Sequence, residues 1–303
     1  MHRLIKKNIY QIALLILSCV SFSSFSQAGV LDKLKQGEPL IIGYRTSAMP
    51  MSYQISNNVY GGYTVDICQR IIKRIGARYK LGEIKTAYIP VTAQGRMLAI
   101  QNGTIDMERA STTNNSARQK DVAFANTLYV EELRVAVLKQ SNINHVQDLN
   151  SRQVVTTIGT TSVDYLKKHP NMAEVKFENL FAKDHKESLE LVKNGRADAF
   201  VMDGSILAGL IANSSNPQDY KILTEVLKTE PTAIMLPKND PEFIQAVNQA
   251  IEEIVKAGEM PGIYSKWLEA KLPPNNVKIS LPLSLNTEYA WKHLNNKPAE
   301  DYK

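Results

Sequence analysis

The segment Glu108-Arg109-Ala110-Ser111-Thr112-Thr113-Asn114-Asn115-Ser116-Ala117-Arg118 concentrates hydroxyl, amide and guanidinium groups in eleven consecutive residues. It follows Gly103-Thr104-Ile105-Asp106, which is typical of a helix end followed by a short strand. Hydroxyl and backbone N–H groups donate hydrogen bonds to a carboxylate, and a guanidinium binds both carboxylate oxygens in a planar fork. Taken alone, the same composition fits a polar surface turn better. The rest of the chain therefore decides what this segment does.

The N-terminal segment is predicted to be a secretory signal peptide, residues 1–28, and not part of the fold. Basic Arg3, Lys6 and Lys7 precede an apolar stretch over residues 9–20, and Ser26-Gln27-Ala28 is a small-residue cleavage site. The apolar stretch is too short for a good membrane span. An alternative is lipidation of Cys19, which would tether the protein to a membrane. We expect cleavage after Ala28 and a periplasmic protein, because the apolar stretch continues past the cysteine.

Length and charge bound the remaining possibilities. The chain of 303 residues is long enough for two domains of about 130–150 residues each. Removal of the signal peptide lowers the formal net charge from +6 to +3, which does not indicate a nucleic-acid partner. The remaining cysteine, Cys68, lies among apolar residues and is predicted to be a buried thiol. The histidines are scattered without metal-ligand spacing, so we predict neither a metal nor a cofactor.

Hydrophobic periodicity predicts an α/β chain in which strands and helices alternate. The predicted strands are 40–44, a strand region over 79–90, 135–138, 154–158 and 197–202. The predicted helices are 31–34, 66–75, 93–102, a helix after Gly159-Thr160-Thr161-Ser162 that runs through 166, 185–193, a long helix from Asp240-Pro241 to Gly258, and 263–268. Thr92 is the predicted N-cap of helix 93–102. Asp184 and Glu187 are predicted to form a capping box at the start of helix 185–193. The Pro- and Asn-rich segment from Pro273 onward is expected to wrap the surface.

An internal echo supports a plan of two similar units. Residues 101–106 and residues 193–198 both end a helix with Asn-Gly and open a strand that begins near an aspartate. Five residues beyond the two aspartates stand Ser111 and Asp203, which we consider candidate site residues. In open α/β sheets, ligands bind at the carboxyl ends of the strands. The echo therefore predicts that Ser111 and Asp203 reach a ligand from two α/β units.

Several short motifs occur in the order and at the spacings of a known family. They are Gly43-Tyr44-Arg45, Gln94-Gly95-Arg96, Gln101-Asn102-Gly103-Thr104-Ile105-Asp106, Ser111-Thr112-Thr113-Asn114-Asn115 with Arg118-Gln119-Lys120, Gly159-Thr160-Thr161-Ser162, Ala182-Lys183-Asp184-His185 and Met202-Asp203. From Leu31 to about Lys278 the chain resembles a periplasmic amino-acid-binding protein of an ABC transporter, of the glutamate/aspartate type in solute-binding protein family 3. The resemblance implies an α/β, two-lobed periplasmic-binding-protein fold of type II, in which each lobe is a mostly parallel sheet flanked by helices.

The resemblance also implies domain boundaries and partners. Lobe 1 would comprise residues 31–134 plus 232–303, lobe 2 would comprise residues 135–231, and two hinge strands would pass near Arg134-Val135 and Thr232-Ala233. The lobes would close on L-glutamate or L-aspartate, and the closed form would deliver it to the permease of an ABC importer in the inner membrane. We expect a monomer that performs no catalysis.

Ligand contacts implied by the resemblance follow the charges of an acidic amino acid. The α-carboxylate would be held by Arg118, Thr113 and the helix start at Thr161 and Ser162; the α-ammonium by Asp203 and Ser111; and the side-chain carboxylate by Arg45, Arg96 and His185. Unpaired buried cations are costly, so two arginines beside one carboxylate are difficult to explain as packing.

Two positions depart from the family pattern or stay open. Ala93 occupies a position where the acidic-ligand type commonly has a serine that bonds the distal carboxylate. Loss of one such hydrogen bond costs about 1.5–3 kcal/mol unless a water molecule replaces it, which leaves the preference among aspartate, glutamate and their amides open. Arg109, in a predicted buried strand, either pairs with Glu108 or points outward.

Two alternatives belong to other functional classes. The first is a periplasmic enzyme on the same fold, similar to a cyclohexadienyl or arogenate dehydratase, with His185 and Glu108 as acid and base. No nucleophile and base pair and no metal cluster are recognisable in the sequence, so binding is favoured. The second is a sensor domain, which would require a downstream transmembrane helix and a signalling domain after Lys303.

Overall fold

The computed structural model describes residues 29–168, 172 and 174–302. The predicted signal peptide and Cys19 lie outside the described residues. Within the described ranges no helix combines the length and the apolar character that a membrane crossing requires.

Helices and strands alternate through most of the chain, as the periodicity predicts. The helices are α1 (Val30–Lys35), α2 (Tyr63–Arg78), α3 (Arg96–Gln101), α4 (Thr161–Lys168), α5 (His185–Lys193), α6 (Gly204–Ala212), α7 (Pro241–Lys256), α8 (Met260–Tyr264) and α9 (Leu285–Lys292). The strands are β1 (Leu40–Tyr44), β2 (Ser47–Ala48), β3 (Ser52–Ser56), β4 (Val59–Gly61), β5 (Thr86–Pro90), β6 (Met107–Arg109), β7 (Ala123–Phe124), β8 (Tyr129–Leu138), β9 (Gln153–Thr157), β10 (Glu178–Ala182), β11 (Ala199–Asp203), β12 (Tyr220–Ile222), β13 (Lys228–Thr232), β14 (Met235–Leu236), β15 (Lys271–Leu272) and β16 (Val277–Lys278).

The first sheet has the strand order β5-β1-β6-β14-β7. Strand β1 runs parallel to β5 and β6, whereas β14 runs antiparallel to β6 and β7. Helix α2 buries Ile67, Ile71 and Ile75, whose spacing places them on one face of the helix, in the core that it shares with α7. Cys68 on the same helix is a free, buried thiol, which confirms that prediction.

The second sheet has the order β10-β9-β11-β8-β12, and β13 pairs with β8. Strand β9 is parallel to β10 and β11, whereas β8 is antiparallel to β11, β12 and β13. A separate apolar cluster that includes Val135, Val154 and Val201 fills one face of this sheet. Its other face, which includes Ala136, Val155 and Phe200, belongs to the same apolar cluster as the core beneath the first sheet.

Strands β8 and β13 connect the two sheets. They pair antiparallel to each other, with Glu131 directly opposite Glu230, and β14 of the first sheet follows closely after β13. Arg134 and Val135, the predicted first crossover, lie inside β8, and Thr232 is the last residue of β13. The lobe boundaries inferred from the sequence remain a prediction.

The C-terminal segment packs more deeply than the expected surface wrapping. Trp291 in α9 is buried, and its indole Nε1 donates to the carbonyl of Leu128 at 2.8 Å. The backbone N–H of Val130 donates to the Thr287 hydroxyl at 3.0 Å. These contacts fix the tail against the start of β8.

Two predicted boundaries are wrong. The strand region predicted over 79–90 begins only at Thr86, because α2 continues to Arg78 and a turn with positive φ at Lys80 and Gly82 follows. Helix α3 begins at Arg96 and not at residue 93. The Thr92 hydroxyl accepts a hydrogen bond from Gly95 N at 2.9 Å and caps the turn that leads into the helix.

Candidate ligand-binding site

Strand ends from both sheets meet around one small cavity. Arg45 follows β1, Ser111 and Thr113 follow β6, Thr161 opens α4 after β9, and Asp203 ends β11. The cavity is lined by Arg45, Arg96, Ser111, Thr113, Thr160, Thr161, His185, Met202 and Asp203. Every predicted site residue except Arg118 and Ser162 therefore contributes to its wall.

The cavity has a volume of about 10 Å³, which is roughly the space that one water molecule requires. An amino acid is much larger than this space. The arrangement is therefore a closed one, too small for an amino acid.

The imidazole of His185 holds the guanidinium of Arg45. Arg45 Nη2 lies 3.4 Å from His185 Nε2, and His185 Nδ1 lies 3.0 Å from the Thr157 hydroxyl. Burial, together with the cations of Arg45 and Arg96, holds the pKa of His185 well below its usual range. A neutral imidazole that accepts from Arg45 through Nε2 carries its proton on Nδ1. His185 thus orients Arg45 and adds no positive charge of its own.

Arg96 is 3% exposed and lies beside a buried carboxylate. Its Nη1 is 3.6 Å from Glu108 Oε1, and the Thr112 hydroxyl donates to the two oxygens of Glu108 at 3.0 and 2.8 Å. Among the described residues, Nε and Nη1 of Arg96 and Nη1 of Arg45 have no hydrogen-bond partner. Burial and the charge of Arg96 lower the pKa of Arg45 to about 10. Buried guanidinium donors without acceptors favour an anion at this end of the cavity.

Arg118 bridges the segments that follow β6 and β9. Its Nη1 donates to the Thr113 carbonyl at 2.9 Å, and its Nη2 donates to the Gly159 carbonyl at 3.1 Å. Burial of the guanidinium and the nearby charge of Arg96 lower the pKa of Arg118 to about 10. The Ser162 hydroxyl is buried beside this bridge and lacks a hydrogen-bond partner within the described chain. Both residues lie next to the cavity rather than in its wall.

Asp203 is the acidic side chain in the cavity wall, and the buried carboxyl groups of Glu131 and Glu230 lie near it without lining the cavity. Burial and the charge of Glu230 raise the pKa of Asp203 to about 7. Glu131 accepts a hydrogen bond from the Ser205 hydroxyl, and burial and Asp203 raise its pKa well above the usual range. Glu230 accepts from the hydroxyls of Thr113 and Thr161. We call Arg45 with Arg96 the cationic end of the site, and Asp203 with Glu230 the anionic end.

Sequence reasoning missed several of these residues. Thr160 and Met202 stand beside predicted site residues and belong to the quoted motifs, so the motifs themselves were a sufficient signal. Glu230 lies in Lys228-Thr229-Glu230-Pro231-Thr232, where nothing in the sequence indicates a buried carboxylate. Both expectations for Arg109 are wrong: it is buried and its guanidinium lies 4.5 Å above the Tyr88 ring, a cation–π contact.

Comparisons with known proteins identify the relatives of this chain. Residues 40–270 match the family model of the bacterial extracellular solute-binding proteins, family 3. The chain is 34% identical over 267 residues to the glutamate/aspartate import solute-binding protein of Salmonella typhimurium, with 88% of each chain covered. It is 34% identical over 257 residues to the L-glutamate/L-aspartate-binding protein of Pseudomonas aeruginosa, with 84% of this chain and 85% of that one covered.

A solved structure extends the likeness to the fold. It is an ancestral amino-acid-binding protein that is a precursor of cyclohexadienyl dehydratase, with 25% identity and a TM-score of 0.68. The alignment covers 79% of this chain and 99% of that chain. The predicted α/β, two-lobed fold is confirmed by this likeness. The sheets are mixed and not mostly parallel as predicted, because β8 and β14 run antiparallel to their neighbours.

Proposed function

The chain belongs to family 3 of the bacterial extracellular solute-binding proteins, and on that premise we propose that it captures glutamate or aspartate for an ABC importer. The observation that carries the choice of ligand is the set of buried, unpaired guanidinium donors of Arg45 and Arg96 in one cavity with Asp203. The side-chain carboxylate of an acidic amino acid supplies the acceptors that these donors lack. A neutral amide supplies no counter-charge for the guanidinium of Arg45, which, unlike Arg96 beside Glu108, has no ion pair among the described residues.

Each charged group of the ligand contacts its own set of residues in this proposal. Arg45, oriented by His185, and Arg96 bind the side-chain carboxylate. Arg118 and the free N–H groups at the start of α4 bind the α-carboxylate, because a helix N-terminus favours an anion. Asp203 and Ser111 bind the α-ammonium.

Capture requires a movement of the two lobes. We take residues 31–134 with 232–303 as lobe 1 and residues 135–231 as lobe 2, so that β8 and β13 carry the hinge. Contacts that then cross the cleft include Arg45 to His185, Arg118 to Gly159 and Asn275 to Asn213. The ligand closes the lobes by pairing with groups of both, and the closed form docks on the inner-membrane permease.

Location and partners complete the proposal. The protein is exported by residues 1–28, with lipidation at Cys19 as the less favoured alternative, and acts in the periplasm as a monomer. Nucleic acid is not among its partners.

A periplasmic dehydratase on the same fold is the second candidate, because one similar solved structure is a precursor of such an enzyme. The candidate acid and base are both engaged in other contacts. His185 is held between Arg45 and Thr157, and Glu108 accepts from Thr112 beside Arg96. We therefore propose binding without turnover, and conversion of prephenate or arogenate by the purified protein would contradict it.

A calorimetric titration tests the proposed ligand class. The protein that begins at Gly29 is unfolded and refolded to remove co-purified ligand, then titrated with L-glutamate, L-aspartate, L-glutamine and L-asparagine. We expect tight binding of the two acids and weak or absent binding of the two amides. The ratio between glutamate and aspartate measures the effect of Ala93. Absence of binding by all four would contradict the acidic amino-acid assignment while leaving the fold intact.

A further inference from the structure

One buried carboxylate on a connecting strand accepts hydrogen bonds from both sides of the cleft. Glu230 in β13 is 1% exposed, and its Oε2 accepts from the Thr113 hydroxyl at 2.9 Å and from the Thr161 hydroxyl at 2.6 Å. Thr113 follows β6 of the first sheet, and Thr161 follows β9 of the second. Lys228 Nζ lies 3.2 Å from the other oxygen of Glu230 and balances its charge.

These hydrogen bonds determine what the two threonines present to a ligand. A hydroxyl has one proton to donate and two lone pairs that accept. Since each proton points at Glu230, the cavity side of each hydroxyl offers lone pairs only. Both threonines line the cavity together with the carboxyl group of Asp203.

We propose that Glu230 is a positioning residue that turns Thr113 and Thr161 into hydrogen-bond acceptors and thereby makes the site require an ammonium on its ligand. The inference rests on the proposed function and deepens it. It also changes the role that the family resemblance implies for the two threonine side chains, which there hold the α-carboxylate. The backbone N–H groups at the start of α4 and the guanidinium of Arg118 are unaffected and still face an anion.

The chain offers a matched control on the neighbouring strand. Glu131 lies directly opposite Glu230 in the β8–β13 ladder and is also 1% exposed. Its carboxylate accepts hydrogen bonds from the hydroxyl and the backbone N–H of Ser205, which does not line the cavity. A change at either position removes a buried carboxylate from the same ladder, but only Glu230 controls hydroxyl groups of the cavity.

The experiment compares L-glutamate with glutarate, which is the same dicarboxylate without the ammonium. Wild type, Glu230→Gln and Glu131→Gln are titrated calorimetrically with both ligands. We expect wild type to prefer glutamate by at least about a hundredfold. In Glu230→Gln the side-chain amide lets the hydroxyls turn toward the ligand, and the preference falls by about tenfold or more, the value of a hydrogen bond to a charged group. Glu131→Gln keeps the wild-type preference.

The ratio of the two affinities separates positioning from a general structural role. Equal weakening of both ligands in Glu230→Gln would leave the ratio unchanged and would overturn the inference while the proposed function stands. Failure of wild type to bind glutamate would overturn the proposed function and the inference together. Thermal unfolding checks that the variants fold. If Glu230→Gln does not fold, Thr161→Val removes one acceptor directly, and an unchanged ratio in that variant overturns the inference.

Discussion

The two ends of the cavity satisfy their polar groups in opposite ways. At the cationic end, donors of Arg45 and Arg96 are buried without hydrogen-bond acceptors in the described chain. At the anionic end, Glu230 Oε2 accepts from the hydroxyls of Thr113 and Thr161, while Glu230 Oε1 has an ion pair with Lys228 and no hydrogen bond in the described chain. An unpaired buried donor costs about 1–3 kcal/mol, so the cationic end is stabilised only when a ligand anion arrives.

The comparison separates two kinds of selectivity. The cationic end favours an anionic group on the ligand, because only an anion supplies acceptors for the guanidinium donors that have none. The anionic end favours an ammonium on the ligand, because the hydroxyl protons of Thr113 and Thr161 already point at Glu230 and are unavailable to a ligand carboxylate. The predictions below test the two ends in turn, from the largest expected effect to the smallest.

Removal of a guanidinium at the cationic end has the largest expected effect. Arg96→Ala is expected to weaken glutamate binding by about a hundredfold or more, since truncation of one partner in a buried charge pair costs about 2–5 kcal/mol. Calorimetric titration gives the affinity. The control is Arg109→Ala, which removes a buried arginine that stacks on Tyr88 and does not line the cavity. Equal losses in both variants would show that the cationic end has no special role.

At the anionic end, Asp203→Asn is expected to weaken glutamate binding by about 30-fold, because the ammonium loses a charged acceptor. Since burial raises the pKa of Asp203, the same change removes an unfavourable buried charge at pH 8 and is expected to keep or raise the melting temperature without ligand. Titration and thermal unfolding measure the two quantities. Asp198→Asn, at the other end of β11 and outside the cavity, serves as the control. Loss of stability without loss of affinity would contradict the assignment.

Closure of the lobes brings the cationic and the anionic end of the site into contact with one ligand. A substitution at a glycine in α6 tests whether binding requires this closure. A Cβ added at Gly209 would lie 2.3 Å from the carbonyl oxygen of Met49 across the cleft. Gly209→Ala is expected to weaken glutamate binding by about tenfold or more, because overpacking costs about 1–3 kcal/mol. Alanine favours a helix over glycine, so the open protein keeps its stability. Gly262→Ala in α8 meets nothing within 4 Å and is the control; equal affinities in the two variants would contradict the closed arrangement.

The smallest expected effect is a dependence of binding on pH through Asp203. Its pKa of about 7 in the ligand-free protein falls when an ammonium binds, so ligand binding releases a proton below pH 7. Glutamate affinity is expected to be about tenfold weaker at pH 6 than at pH 8. Without ligand, protonated Asp203 contributes to the stability of the folded protein. This contribution is fully present below the pKa of Asp203 in the unfolded chain and is lost as the pH rises through about 7. Titration in buffers of different ionisation enthalpy measures the proton release.

Asp203→Asn provides the reference for this pH dependence. The variant is expected to show a flat affinity between pH 6 and pH 8. A slope that persists in the variant would assign the titration to another group.

Local sequence chemistry predicted the parts of the site that depend on strand ends and helix starts. Arg45 and Asp203 each stand where an apolar strand stops, and polar positions after a strand end reach the ligand edge of a sheet. Asp203 became a candidate through the similarity of residues 101–106 and 193–198, whereas the role of Arg45 was implied by the family resemblance. For α5 the predicted N-cap is confirmed, since the Asp184 side chain accepts from Lys186 N and Glu187 N. The reciprocal half of the predicted capping box is absent, because the Glu187 side chain accepts from Lys183 N and not from the N–H of Asp184.

The missed features depend on contacts between distant segments. Glu230 meets Thr113 and Thr161 only after both sheets have formed, and its own sequence neighbourhood resembles an ordinary polar strand. Arg109 was unresolved for a similar reason, since Tyr88 lies on β5, which is separated from β6 by β1 in the sheet. Periodicity predicts which face of a strand a side chain occupies, but it does not identify the partner that it meets there.

A crystal structure with L-glutamate bound tests the polarity of the cavity most directly. We predict that the side-chain carboxylate oxygens of the bound glutamate lie about 2.7–3.2 Å from the guanidinium nitrogens of Arg45 and Arg96. We predict the ammonium nitrogen at similar distances from Asp203 and from the hydroxyls of Thr113 and Thr161, which still donate to Glu230. A ligand in the reverse orientation, or a ligand carboxylate bound to those two hydroxyls, would contradict this polarity.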